Sequence, residues 1–170
     1  INNNFNIKGD YTVSEGSYRF GMLEIISRDF TLNPGGTIKF NGDIMDSDLG
    51  MSALYKTKAS ISPLIADTTS MTSRRNVICG LDITGKLANP QLGFSITVPD
   101  LDPASQGLVD AALNTEDKRL KQFLTLLISG SFLPDDNSGV VNNTSFNRVN
   151  ATGLVANQLN GILEQLNIPI

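Results

Sequence analysis

Proton-transfer and metal chemistry most often rest on histidine, and this chain of 170 residues contains none. That removes the commonest general base and the commonest imidazole ligand. A serine nucleophile needs a base, and without histidine the remaining option is a Ser–Lys pair, to which no spacing points. Asp43, Asp46 and Asp48 form an acidic cluster whose oxygens suit calcium. A solvated turn between two strands accounts for them more simply. Asp135-Asp136-Asn137-Ser138-Gly139 opens like a calcium loop, but the twelfth position is Phe146, where a bidentate Glu is required. Cys79 is the single cysteine, so it forms no internal disulfide. It alternates with apolar residues and reads as a small buried hydrophobe, not a nucleophile. Arg74-Arg75, at a strand entry, reads as a charged guard on a sheet edge rather than a phosphate site. Asn142, Asn143 and Asn150 lie in N-x-S/T sequons, which matter in a eukaryotic secretory setting. The expectation is a protein with no catalytic residue, no metal and no cofactor.

Composition narrows the class further. The length fits one domain. Hydrophobic content is ordinary at 40%, while charged residues are sparse at 18%. The net charge is −4, with a pI near 4.7. An acidic chain is poorly suited to nucleic acid and gains nothing from the charge of an anionic lipid surface. There is no run of 18 apolar residues, hence no spanning helix in the sequence. The first residue is Ile1 rather than methionine, which suggests a piece of a longer protein.

The elements that would position any site are strands. From Gly9 to Tyr55 apolar residues fall at every second position, which makes one face of a sheet greasy and the other wet. Phe5, Ile7, Tyr11 and Val13 alternate with polar neighbours. After Gly16 the pattern restarts with Tyr18 and Phe20, then Phe30 and Leu32. Asn33-Pro34-Gly35-Gly36 is a turn signal, because Pro fixes φ and Gly permits positive φ. Ile38 and Phe40 follow, Gly42-Asp43 turns the chain, and Leu49, Met51 and Tyr55 resume the stripe. Residues 60–74, with Pro63 and Ser/Thr clusters, read as a loop or weak edge strand. Val77, Cys79, Leu81 and Ile83 make a further strand. Asn89-Pro90 reads as a turn, and Leu92, Phe94, Ile96 and Val98 complete the set. Runs recurring about every ten residues suggest an antiparallel meander over residues 1–100.

The period changes near Pro103, and residues 101–170 read as helical. Ala104 to Leu113 has helical composition. Asn114 to Asp117 looks like a helix start with Asn114 as the cap. Leu120, Phe123, Leu124, Leu127 and Ile128 then form one stripe, ended by Gly130. Residues 134–150 read as a polar linker. A third helix is expected from Thr152, with Val155, Leu159, Ile162, Leu163 and Leu166 on its stripe. A helix on a polar tether would be a gate over the sheet rather than part of its wall.

The greasy face is therefore the feature that could carry function. It is either an ordinary core, covered by a second layer, or the inside of a curved sheet left available to a lipid chain or apolar peptide.

The segment GDYTVSEGSYRFGMLEIISRDFTLNPGGTIKFNGD, followed by LGMSALY, resembles the C-terminal domain of TamB. TamB is the translocation and assembly module component of the AsmA-like superfamily. The family pattern falls on Gly9, Tyr11, Gly16, Tyr18 and Phe20, then Phe30, Leu32, Gly35, Gly36, Ile38, Phe40, Gly42 and Asp43, then Ala53 and Tyr55. A second block matches at Leu81 to Leu87, Asn89-Pro90 and Phe94 to Ile96. The tail from Leu101 to Leu133 is similar to Bacteroidetes-type versions. The resemblance implies a mainly β fold, an antiparallel meander curved into a trough (a β-taco) with an apolar interior, followed by amphipathic helices.

It also implies a periplasmic segment of a protein anchored in the inner membrane and reaching the outer membrane. The expected partner is an Omp85-family outer-membrane protein, met through the full-length parent, since family members usually continue with further strands beyond this point. The expected cargo is phospholipid or another acyl chain, within outer-membrane biogenesis, inter-membrane phospholipid transport, barrel-protein assembly and protein secretion. The alternative is a chaperone-like scaffold whose edge strand pairs with nascent outer-membrane or secreted proteins. Exposed helical stripes or edge strands could also pair two copies. The residues carried over are structural: the trough lining named above and the turn glycines Gly16, Gly35, Gly36 and Gly42.

Overall fold

A computed structural model describes residues 5–22, 26–66 and 73–134. The Asp135–Gly139 loop, the three sequons, all but the first residue of the linker and the third helix all lie outside the described residues. Seven strands form one antiparallel sheet: β1 (Asn6–Thr12), β2 (Ser17–Met22), β3 (Ile26–Leu32), β4 (Thr37–Asp43), β5 (Asp48–Ala59), β6 (Arg75–Lys86) and β7 (Asn89–Thr97). A 3-10 turn (Ile44–Asp46) joins β4 to β5. Among the described residues there are three helices, α1 (Ser62–Ile65), α2 (Pro103–Ala112) and α3 (Glu116–Ser129).

Each start and stop has a local cause. Asp43 accepts from the Met45 N–H at 2.9 Å and so starts the 3-10 turn. Asp102 accepts from the Ser105 N–H at 3.0 Å, and Pro103 fills the first turn of α2, where no N–H is needed. The cap of α3 is Thr115, one residue later than Asn114; its hydroxyl accepts from the Lys118 N–H at 3.3 Å. Gly130 ends α3 at φ 67°, where its N–H donates to the Leu126 carbonyl at 2.9 Å. Two other boundaries differ from the sequence pattern. Ser62–Ile65 is a short helix with Pro63 in its first turn. The β6–β7 loop is Leu87-Ala88, and Asn89-Pro90 already belongs to β7, paired with Lys86 and Gly85. Pro90 is tolerated there because β7 is an edge strand.

The topology is partly nested. β5, β6 and β7 follow chain order. β1 instead pairs with β4 (Tyr11 opposite Ile38), enclosing the β2–β3 hairpin between them in sequence. β5 is long enough to serve two partners on one edge. Its start pairs with β4 through Asp48–Gly50, and its middle pairs with β3 at Ala53 and Leu54.

The sheet is curled. Phe123 of α3 lies 6.0 Å from the Phe30 ring on β3 and 4.8 Å from the Phe94 ring on β7. Those strands are three ladder spacings apart, about 14 Å in a flat sheet. One ring reaches both because the sheet bends around the helix, giving an open, curved trough of the β-taco kind. A single hydrophobic cluster joins sheet and helices, with Phe30, Ile61, Val77, Leu81, Phe123, Leu124 and Leu127 fully buried.

Candidate functional site

Antiparallel partners point to the same face, so the register states which residues share the trough. Tyr11 lies opposite Ile38, and Ile38 opposite Leu49. Met51 faces Ile83, which faces Leu92; Tyr55 faces Cys79, which faces Ile96; Leu81 faces Phe94. Leu32 faces Ala53 and Tyr18 faces Phe30, with Phe20 two residues along β2. Ile7 and Phe40 follow by the two-residue period of β1 and β4, and Val77 by that of β6. Val13 is buried just past β1, where its N–H donates to the Gly36 carbonyl at 2.7 Å. Val98 is buried just past β7.

The face divides into two ends. At the helical end, where β5 and β7 finish, α3 lies in the trough and α1 and α2 close it off. Phe20 and Phe30 are 5.9 Å apart and both touch Phe123, while Tyr55 lies 5.6 Å from Phe30. Gln122, buried, secures the return of the chain: its Nε2 donates to the Leu133 carbonyl and its Oε1 accepts from the Leu133 N–H, both at 2.9 Å. Burial pushes the Cys79 thiol up to about 12, so it is protonated and unreactive in the folded protein.

At the hairpin end, built by β1, β4 and the turn of β6 and β7, the cover thins. Leu49 and Ile83 are still buried, and Ile38, Phe40 and Met51 are half-buried. Leu92 is 37% exposed, Tyr11 57% and Phe5 71%. Tyr18, on the β2 rim, is also open to solvent.

The turn glycines have separate reasons. Gly35 (φ 92°) sits in the turn before β4, whereas Gly42 (φ 124°), expected in a turn, lies inside β4 opposite Ile7; both have positive φ that other residues resist. A Cβ on Gly36 would meet the Met51 side chain at 3.2 Å and its Cα at 3.3 Å, and one on Gly16 would meet Leu32 Cδ1 at 3.2 Å.

The charged candidates are engaged elsewhere. Lys86 Nζ lies 3.2 Å from Asp46 and 2.9 Å from Asp48, so an ammonium sits on that acidic cluster. Hydrogen bonds from Lys86 and Asn41 hold the Asp48 carboxyl below its ordinary range. Arg74 donates to the Lys58 carbonyl through Nε and Nη2. Among the described residues no three His, Cys, Asp or Glu side chains cluster as metal ligands would. None of the described helices is long and apolar enough to cross a membrane.

A curled antiparallel sheet with an apolar concave face and a helix in one end defines the class, a β-taco-like trough. The TamB C-terminal domain family model matches residues 1–169, so the chain belongs to that family. Membership makes it a TamB-like, envelope-associated protein of outer-membrane assembly. No curated protein and no solved structure matches it.

Proposed function

We propose that the chain is a periplasmic segment of an inner-membrane-anchored, envelope-spanning protein whose trough shields acyl chains from water. On this reading it serves phospholipid movement between membranes and barrel-protein assembly, with an Omp85-family partner met through the rest of the parent. The role is passive: the chain binds and guides, and carries no catalytic or metal site. The observation supporting it is the apolar face that continues in register from the covered helical end to the exposed hairpin end. Each buried methylene contributes about 0.8 kcal/mol, so a sixteen-carbon chain stands to gain on the order of 10 kcal/mol before ordering costs. Five strands (β1, β4, β5, β6 and β7) at a ladder spacing of about 4.8 Å give the hairpin end a path of roughly 19 Å. Apart from the Tyr11 hydroxyl, the aliphatic and aromatic lining of this end offers no polar group to trap the chain in one place.

The test is lipid loading. The purified protein is mixed with phospholipid vesicles, reisolated, and its bound lipid extracted and weighed by mass spectrometry. Wild type should retain acyl lipid. The double variant Ile38→Asp, Met51→Asp should lose it while keeping its far-ultraviolet circular dichroism. Equal retention by both, or none by wild type, contradicts the proposal.

A further inference from the structure

The trough is the inner face of the sheet, and the outer face carries a recess of its own. On β3, Asp29 and Thr31 point outward and Phe30 and Leu32 inward. On β5, Leu54, Lys56 and Lys58 point outward and Tyr55 inward. The β3–β5 ladder ends at the pair Thr31–Leu54. Past that pair the Phe30 and Tyr55 rings pack 5.6 Å apart on the trough side. A recess of about 480 Å³ lies there, lined by Thr31, Leu32, Pro34, Leu54, Tyr55 and Lys56 among others. Most of the strand residues lining it point outward, so it opens on the outer wall. Pockets of this size hold small organic ligands.

Its chemistry has two parts. Leu32, Pro34, Leu54 and Tyr55 give it apolar surface. Of its two charged residues, Asp29 is engaged and Lys56 is not. Both Asp29 oxygens are taken by Arg19, with Nε 2.8 Å from Oδ1 and Nη2 3.3 Å from Oδ2. Lys56 makes no ion pair and no side-chain hydrogen bond among the described residues. Lys58 follows Lys56 at the strand period on the same face. Around the recess, on β2, β3 and the second half of β5, the outward charges are therefore Arg19, Lys56 and Lys58 against Asp29 alone. This is a cationic patch on a chain whose net charge is −4.

We infer that the recess binds an amphipathic anion, a short hydrocarbon or aromatic group carrying one carboxylate or phosphate, with its apolar body on Leu54 and Pro34 and its charge at Lys56. Neither part suffices alone. A bare anion gains only a screened contact with an exposed ammonium. An uncharged hydrocarbon buries apolar surface but leaves the Lys56 charge unused. Joined in one molecule, the apolar body excludes water from the charge contact and strengthens it. A free acid and a phospholipid headgroup share this chemistry, and the probes below separate them. The recess lies on the opposite face from the trough, so it stands whether or not the trough carries acyl chains.

The test is an amide NMR titration of the full chain with octanoate. The Thr31, Leu54 and Lys56 signals should shift and saturate by about 5 mM. Octanol and acetate, each lacking one part of the ligand, should bind at least about tenfold more weakly. Lys56→Gln should weaken octanoate about tenfold, and Leu54→Ser by a similar factor. Lys86→Gln, at the hairpin end, should leave the affinity unchanged. Dihexanoyl phosphatidate separates the two sources. Tighter binding than octanoate assigns the recess to a lipid headgroup, and weaker binding assigns it to a free acid. Unchanged affinity in Lys56→Gln, no saturation at the three residues, or shifts confined to Ile38, Met51 and Leu92 in the trough overturns the assignment. Trough signals are read separately in the same spectra, so this site and the lipid-shielding role can each fail alone.

Discussion

The two ends of the trough share one sheet, one alternation pattern and one register, yet differ in cover. At the helical end, Phe123, Leu124 and Leu127 of α3 are wholly buried against Phe20, Phe30 and Phe94 or their neighbours. At the hairpin end, Tyr11 and Leu92 lie on the same face as those residues with solvent over them. The contrast separates two properties that a strand pattern merges. Alternation decides which side of a strand is apolar. What lies on that side depends on where a later segment lands, and α3 lands at one end, with Phe123 against Phe20 of β2, Phe30 of β3 and Phe94 of β7. The helix fills one end of the apolar face and leaves the other open to solvent.

The largest effect should come from removing the ring at the centre of the filled end. Phe123→Ala should lower stability by about 3–5 kcal/mol, since the ring is completely buried among three others. Phe40→Ala, half-buried at the open end, should cost under about 1.5 kcal/mol. Urea unfolding of both variants checks the pair, and similar losses would erase the distinction between the ends.

Gln122 sharpens the same comparison. Gln122→Leu keeps the volume but leaves the buried Leu133 N–H and C=O without partners, at a cost of about 2–3 kcal/mol. A neutral result in the same unfolding assay would mean that residues 131–133 are not held against α3.

Acid should loosen the helical end through its cap. The Ser105 hydroxyl and backbone N–H hold the Asp102 carboxyl below its ordinary value of 3.8. A depressed folded-state value means the stabilisation is complete above the ordinary carboxylate range and fades as pH falls through the lowered value. Melting temperature followed from pH 6 down to about pH 2 should therefore drop, and Asp102→Asn should flatten that limb. An unchanged acid limb in the variant would remove Asp102 from the account. The smallest effect is expected at the exposed rim. Leu92→Ser should change stability by no more than about 0.5 kcal/mol, and a larger loss in a thermal melt would show that this end is covered in solution.

Much of the fold was legible because the pattern is regular. The alternation of Ile38 and Phe40, of Val77 to Ile83 and of Phe94 and Ile96 carries the face without further information, and the stripe of α3 and its Gly130 stop were equally plain. The nesting of β2–β3 inside β1–β4 was not, because pairing partners depend on long-range register and not on any local period. The helix at Ser62–Ile65 was hidden by Ser and Pro, which serve turns and first helical turns alike. Asn114 and Thr115 are both good caps, and the sequence alone does not choose between them. The shortness of the β3–β5 ladder, two residue pairs, leaves no periodic trace, since the residues beyond it alternate as they would in a longer one. Its nearest sequence sign is Arg74, which reads as an edge guard and caps the Lys58 carbonyl.

On the proposed lipid-shielding role, an acyl chain enters the open end of the trough and not the filled one. A stearate carrying a nitroxide near its tail, added to protein with labelled methyl groups, tests it by paramagnetic broadening. The Ile38, Met51 and Ile83 methyl signals should be lost and those of Val77, Leu124 and Leu127 retained. Broadening of both sets alike, or of neither, would contradict it.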